Sequence, residues 1–153
     1  MAQILSWLML IAPWFLLIFI DKRKFSKFLS VAFFTALLDT ILFQMAHIWN
    51  WWTITNNVFF LTDVSSFEYG FLPVVTIYVF YITYPRFWLF VGANLILDVV
   101  QAFIISPFIF EKFGLYRLNI NRFEFFLIIF CIVPIIYYYQ KWYDKVSGNI
   151  SKT

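Results

Sequence analysis

The sequence predicts an all-α integral membrane protein, a bundle of about five transmembrane helices. Apolar residues make up 63% of the 153-residue chain. Charged residues make up 12%, half of the roughly 25% carried by a soluble domain. So few charges cannot cover a water-facing surface, and lipid must be the solvent for most of the exterior. Most of the charges also fall in short stretches between long apolar runs, and a spanning helix needs about 20 mostly apolar residues.

Five runs meet that length, at about 4–20, 28–49, 67–84, 87–106 and 123–139, all within one domain covering 1–153. The start, Met1-Ala2-Gln3, has neither the basic region nor the small-residue cleavage site of a signal peptide, so the first run is expected to stay in the mature chain. Asp21 to Lys27 is a short charged turn, and Asn50 to Ser66 is a longer loop without Lys or Arg. At Tyr84-Pro85-Arg86 the proline drives the residue before it out of the helical region. Pro107 to Arg122 is aromatic and basic, as an interfacial segment would be, and the polar tail after Tyr139 is expected to fray.

Basic residues orient the bundle, because cytoplasmic loops carry the excess of Lys and Arg. With the first loop inside, Lys22, Arg23, Lys24, Lys27, Arg86, Lys141, Lys145 and Lys152 are cytoplasmic, and only Lys112, Arg117 and Arg122 lie outside. The N-terminus is then outside and the C-terminus cytoplasmic. Trp49, Trp51 and Trp52 mark the outer boundary and Trp88 and Trp142 the inner one, where an apolar ring with a polar N–H prefers to sit. Tyr137, Tyr138 and Tyr139 read as an interfacial belt.

Carboxyl groups within these runs are the informative residues. A charge at the bilayer centre costs at least about 2.5–3.5 kcal/mol, so such groups face a bundle interior or a cavity. Asp39 and Asp98 each lie eleven residues into an inside-to-outside helix, about 16 Å along it, and so at one depth. Asn94, Asp98 and Gln101 form a narrow polar stripe, whereas Thr35, Asp39, Thr40, Gln44 and His47 spread over about half of the second helix. In a site, Asp39 and Asp98 would face each other, with Asn94, Gln101 and Gln44 completing a polar cavity. The plainer reading is hydrogen-bonding glue between helices. His47 is an interfacial histidine or a proton-relay partner of Asp39. Glu68 and Glu124 read as helix N-terminal caps, where the dipole favours negative charge. Cys131 reads as packing.

The third and fifth runs both open on Phe-Glu, at Phe67-Glu68 and Phe123-Glu124, and both contain a proline, Pro73 and Pro134. The second and fourth share Leu38-Asp39 and Leu97-Asp98. A duplicated hairpin, 28–84 repeated as 87–139, accounts for these pairs. Repeats of this kind build transporters with a site at the repeat interface.

Several classes are excluded. One cysteine and one histidine allow no intrachain disulfide and no Cys/His metal cage, so no metal and no cofactor is expected. Four glycines form no phosphate-binding loop, and no zinc-protease or nucleophile-elbow pattern occurs, leaving catalytic residues unassigned. The net charge of +3 follows membrane topology and calls for no nucleic acid. The expected partners are the lipid bilayer and other membrane subunits or further copies of the chain.

Phe71-Leu72-Pro73, Tyr84-Pro85, Ile105-Ser106-Pro107, Phe113-Gly114-Leu115-Tyr116, Leu118-Asn119 and Lys141-Trp142 occur in that order. Over about residues 36–142 the chain thereby resembles a family of small uncharacterised multi-spanning membrane proteins of spore-forming Gram-positive bacteria. The resemblance implies a multi-pass protein of the bacterial cytoplasmic membrane and transfers no functional residue. A fainter similarity is to lycopene-cyclase-type membrane domains, which place an acid and a proline in an aromatic helix after a Trp-rich loop. Here four residues separate Glu68 from Pro73, whereas that family keeps its proline just before adjacent acids. The leading expectation is a non-enzymatic bundle that handles a small solute or ion, or a subunit of a membrane assembly. The alternatives are a lipid- or isoprenoid-modifying enzyme using Glu68 and Asp98 as acid–base groups, and a purely structural partner protein.

Overall fold

Caps and prolines decide where each apolar run starts and stops. The computed structural model describes residues 2–150. Helix α1 (Ala2–Phe15) tightens into a 3-10 turn at Leu16–Phe19. Asp21 caps α2 (Lys22–Ile48), its Oδ1 accepting from the Arg23 amide at 2.7 Å. This cap begins the helix at the charged turn, well before the apolar run. The strand β1 (Trp52–Ile54) follows. The third apolar run is broken at Gly70 into α3 (Ser66–Tyr69) and α4 (Phe71–Thr83).

The fourth run is α5 (Phe87–Val100), which continues as a wide π-helical segment, Gln101–Glu111. That segment carries Pro107 inside it, where the sequence suggested a helix end. Its wider turns take up a residue that has no N–H to donate. After β2 (Tyr116–Leu118), the last run is α6 (Arg122–Phe130) and α7 (Ile132–Ile150), broken at Cys131. Cys131 is exposed rather than packed. Among the described residues four helical stretches are long and apolar enough to cross a membrane: Ala2–Phe19, Lys22–Ile48, Phe87–Glu111 and Arg122–Gly148. The fifth, α4, is apolar but shorter.

Helices α2, α4, α5 and the α6–α7 pair close a ring, in which α2 and α5 lie across from each other. Helix α1 packs outside the ring on α3 and α4. Two aromatic cores fill its ends. One holds Phe28, Phe80, Phe90 and Tyr137; the other holds Phe43, Trp52, Phe67, Phe110 and Phe125.

The basic end is clasped by Asp144. Its Oδ2 lies 3.1 Å from Lys27 Nζ and accepts from Tyr84 Oη at 2.6 Å, and its Oδ1 accepts from the buried Gln140 at 2.9 Å. The stretch 140–150 is therefore helical and tied to α2 and α4, where its polarity predicts fraying. Tyr137 and Tyr139 are part of this end too: Tyr137 donates to Pro85 O, and Tyr139 hydrogen-bonds Ser30 while stacking on Phe34. Of that expected belt Tyr138 alone is exposed. Lys152 lies outside the described residues.

The opposite end has local two-fold character. Asn50 and Gly114 both take left-handed φ, 55° and 65°, each two residues before a strand. The amides that follow reach back five residues, Trp51 N to Ala46 O at 2.9 Å and Leu115 N to Phe110 O at 2.7 Å, as in a Schellman stop. The antiparallel pair sets Thr53 opposite Arg117. Outside it, the Thr55 and Asn56 amides share Leu115 O, and the Asn119 and Ile120 amides share Trp51 O. Every one of these bonds in one half has its counterpart in the other. Eleven positions separate Asp39 from Asn50 and sixteen separate Asp98 from Gly114, and the longer stretch contains the π-wound segment.

Gly70 is where α1 touches the ring. A Cβ there would lie 2.0 Å from Met9 O and 2.5 Å from Leu10 Cα. Gly70→Ala is expected to push α1 away and to cost about 1–3 kcal/mol by overpacking. Thermal melting in detergent checks this, with Gly92→Ala, whose Cβ meets nothing within 4 Å, expected to leave the melting temperature in place.

Candidate functional site

Between the two aromatic cores the ring surrounds a partly open cavity of about 200 Å³. An apolar cavity of about 150 Å³ already admits benzene, so there is room for a small molecule. Most of the wall is aliphatic and aromatic. Into it project three carboxyl groups from three helices: Asp39 of α2, Glu68 of α3 and Asp98 of α5. Asp39 and Glu68 are 7% and 8% exposed. Asp39 stands close enough to both Asp98 and Glu68 for the three carboxyls to influence one another.

Each carboxyl arrives there for a local reason. Asp39 lies on the inner face of α2 with Val31, Ala32, Thr35, Ala36 and Phe43, all buried. Glu68 is placed by the loop before α3. Asn57 Nδ2 donates to Val64 O at 2.5 Å, and Asn57 Oδ1 accepts from the Ser66 amide at 3.3 Å and from the Ser66 hydroxyl. Ser65 caps α3 through the Phe67 amide, and Tyr69 Oη meets Thr40 Oγ1 at 2.9 Å, pinning α3 to α2. Asp98 comes from α5, where Asn94 bonds back to Phe90 O at 2.8 Å and leaves the carboxyl without support from its own stripe.

Among the described residues no basic side chain lines the cavity; its other polar groups are Thr35, Ser65, Thr76, Asn94, Gln101, Trp52 and Tyr116. Two buried polar atoms on the wall have no hydrogen-bond partner, Asp98 Oδ2 and Trp52 Nε1. Leaving a buried polar group unmade costs about 1–3 kcal/mol. A buried acceptor and a buried donor facing one cavity can both be satisfied by a molecule held in it. Among the described residues no group of three or more His, Cys, Asp or Glu side chains is gathered to hold a metal ion.

Of the residues singled out by sequence, Asp39, Glu68, Asp98, Asn94 and Gln101 line this cavity, and Gln44 and His47 do not. Gln44 is on the exposed face of α2. His47 is exposed and lies 3.8 Å from Asp63 Oδ1 in a separate small pocket, so it is not placed to relay a proton from Asp39. Glu68 and Glu124 occupy the same third position of their helices but part ways. Glu124 completes a capping box with Asn121, whereas Glu68 turns into the cavity. Trp52, expected at the membrane boundary, is 4% exposed and roofs the cavity. Tyr116 and Trp52 were missed as site residues because strands β1 and β2 leave almost no signal in three-residue stretches.

If Asp98 served only as interhelical glue, replacing it would loosen the bundle. The unpartnered oxygen implies the reverse. Asp98→Leu is expected to raise stability by about 1–3 kcal/mol, as removal of an unsatisfied buried polar group does. A higher melting temperature in detergent bears this out, and a lower one assigns the carboxyl to packing.

No family model matches this chain, and neither does any curated protein or solved structure.

Proposed function

We propose that this chain handles a small organic cation, an amine or quaternary ammonium with an apolar body, bound in the acidic cavity within the membrane. The observation that carries the reading is the convergence of Asp39, Glu68 and Asp98 on one cavity whose wall holds no Lys, Arg or His among the described residues. Buried charge of one sign requires counter-charge, supplied either by protons or by a bound cation. Phe43, Trp52, Phe67, Phe71, Phe110, Tyr116 and Phe125 furnish the aromatic faces that attract ammonium groups.

In this reading the chain has five spanning helices, α4 with α3 being the fifth. The end bearing Lys22 to Lys27, Arg86 and Lys141 faces the cytoplasm of a bacterial cell, in keeping with the excess of basic residues and with the resemblance to small multi-spanning proteins. Segments 28–84 and 87–139 are copies of one hairpin. The matched helix stops and crossed amide pairs support this, and sites at repeat interfaces are the rule in transporters built this way.

A second reading has one observation in its favour. Leu97 on the cavity wall is 39% exposed, and Asp98 beside it is half-buried, so the α5 flank is partly open toward lipid. An enzyme that protonates an isoprenoid would need such an opening. It predicts conversion of an added polyisoprene that Asp98→Asn abolishes.

Calorimetry with benzyltrimethylammonium and the protein in nanodiscs tests the leading reading. Binding is expected, with affinity lowered at least tenfold by Asp39→Asn, Glu68→Gln or Asp98→Asn, equivalent to about 1.4 kcal/mol. Gln44→Ala and His47→Ala, outside the cavity, are expected to bind normally. Equal affinity in the three carboxyl variants would sink the cation reading and leave a structural role for the bundle.

A further inference from the structure

The cavity is joined to the solvent by a line of hydrogen bonds. Tyr116 lines the cavity and is buried, and its hydroxyl donates to Ser106 Oγ at 2.6 Å. Ser106 is fully buried in the π-helical segment and donates in turn to Glu111 Oε1 at 3.3 Å. Glu111 Oε2 lies 3.3 Å from Arg122 Nη2, and both of these side chains are about one-third exposed. The line therefore runs from the acidic interior to a partly exposed ion pair at the β1–β2 end.

We propose that Tyr116, Ser106 and Glu111 form a proton-conducting line through which the cavity carboxyls exchange protons with the solution at this end of the bundle. It rests on the cavity being the functional site. The donors already point one way. A proton passed from a cavity carboxylic acid to the Tyr116 oxygen releases the Tyr116 proton to Ser106 Oγ, and Ser106 releases its own to Glu111. Three O–H bonds form and three break. One proton has moved from the cavity to Glu111, and both hydroxyls remain neutral and rotate back. Entry of a proton is the reverse sequence.

The charged groups around Tyr116 fit this direction. Glu68 lies on its cavity side, with Glu111 and Arg122 on its solvent side. Burial, with the Glu111 and Glu68 charges added, raises the Tyr116 phenol above its usual range despite the opposing effects of Ser106 and Arg122. It therefore relays as a neutral hydroxyl and never as a phenolate. The π winding has a role here. It brings Ser106 and Glu111, five residues apart, onto one side of the helix, which is the i→i+5 spacing of such turns.

A pH jump on the protein in nanodiscs tests the line without any ligand. The signal is the fluorescence component lost in Trp52→Phe, since Trp52 shares the cavity with the carboxyls. Tyr116→Phe and Ser106→Ala are expected to slow the response at least tenfold while leaving its amplitude and the melting temperature near those of the parent chain. Glu111→Gln is expected to slow it similarly. An unchanged rate in Tyr116→Phe and Ser106→Ala overturns the proposal, and so does the absence of any Trp52 response. A slowed response in a protein that does not bind benzyltrimethylammonium keeps the proton line and removes the cation reading, so the two fail separately.

Discussion

The crossed amide pairs at the β1–β2 end are the interaction on which the rest of this structure depends. Inside lipid an unmatched backbone group is costly, so a chain that leaves its helices must satisfy its amides within the protein. Here Trp51 O takes the amides of Asn119 and Ile120, and Leu115 O takes those of Thr55 and Asn56. Each connection is thus completed by the other. The same exchange ties the connection after α2 to the one after the π-wound segment and sets Trp52 and Tyr116 on the cavity wall. Neither connection would be satisfied alone, which makes the two halves of the ring mutually obligatory.

The site and the scaffold pull in opposite directions. The two aromatic cores are densely packed, with ring pairs such as Phe80–Phe90 at 4.5 Å and Phe43–Trp52 at 5.3 Å. Between them lie three carboxyls and a cavity, which contribute no packing and leave Asp98 Oδ2 and Trp52 Nε1 unpaired. A chain of this composition had apolar residues in plenty with which to fill the space. Polar groups that weaken a bundle in this way support the binding role proposed for the cavity. Glu124 is spent on a helix cap at the surface, and Glu68, its counterpart in position, is turned inward by the Asn57 loop.

Much of the architecture was legible in the chain because hydrophobic burial in lipid needs only length and composition. Four of the apolar runs became stretches of spanning length, and the carboxyls at 39, 68 and 98 reach one cavity with Asn94 and Gln101. What was misplaced followed from treating each residue by its own element. Gln44 and His47 share a helix with Asp39, but the ring closes on the other side of that helix, so they stay outside. The polar tail gains its order from Lys27 and Tyr84, which are far away in sequence.

Sequence by itself determined that the chain forms helices long and apolar enough to cross a membrane, roughly where they run, and which carboxyls fall within or beside them. These depend on the local run of side chains, and the bilayer reads that run directly. The tertiary structure alone decided that Glu68 is a cavity group while Glu124 is a cap, that Trp52 and Tyr116 form a roof, and that Pro107 lies within a widened helix leading from that roof to the solvent. Those outcomes depend on which backbone amides find partners across the ring, and pairings between segments about sixty residues apart are written in three-dimensional contact rather than in any local pattern.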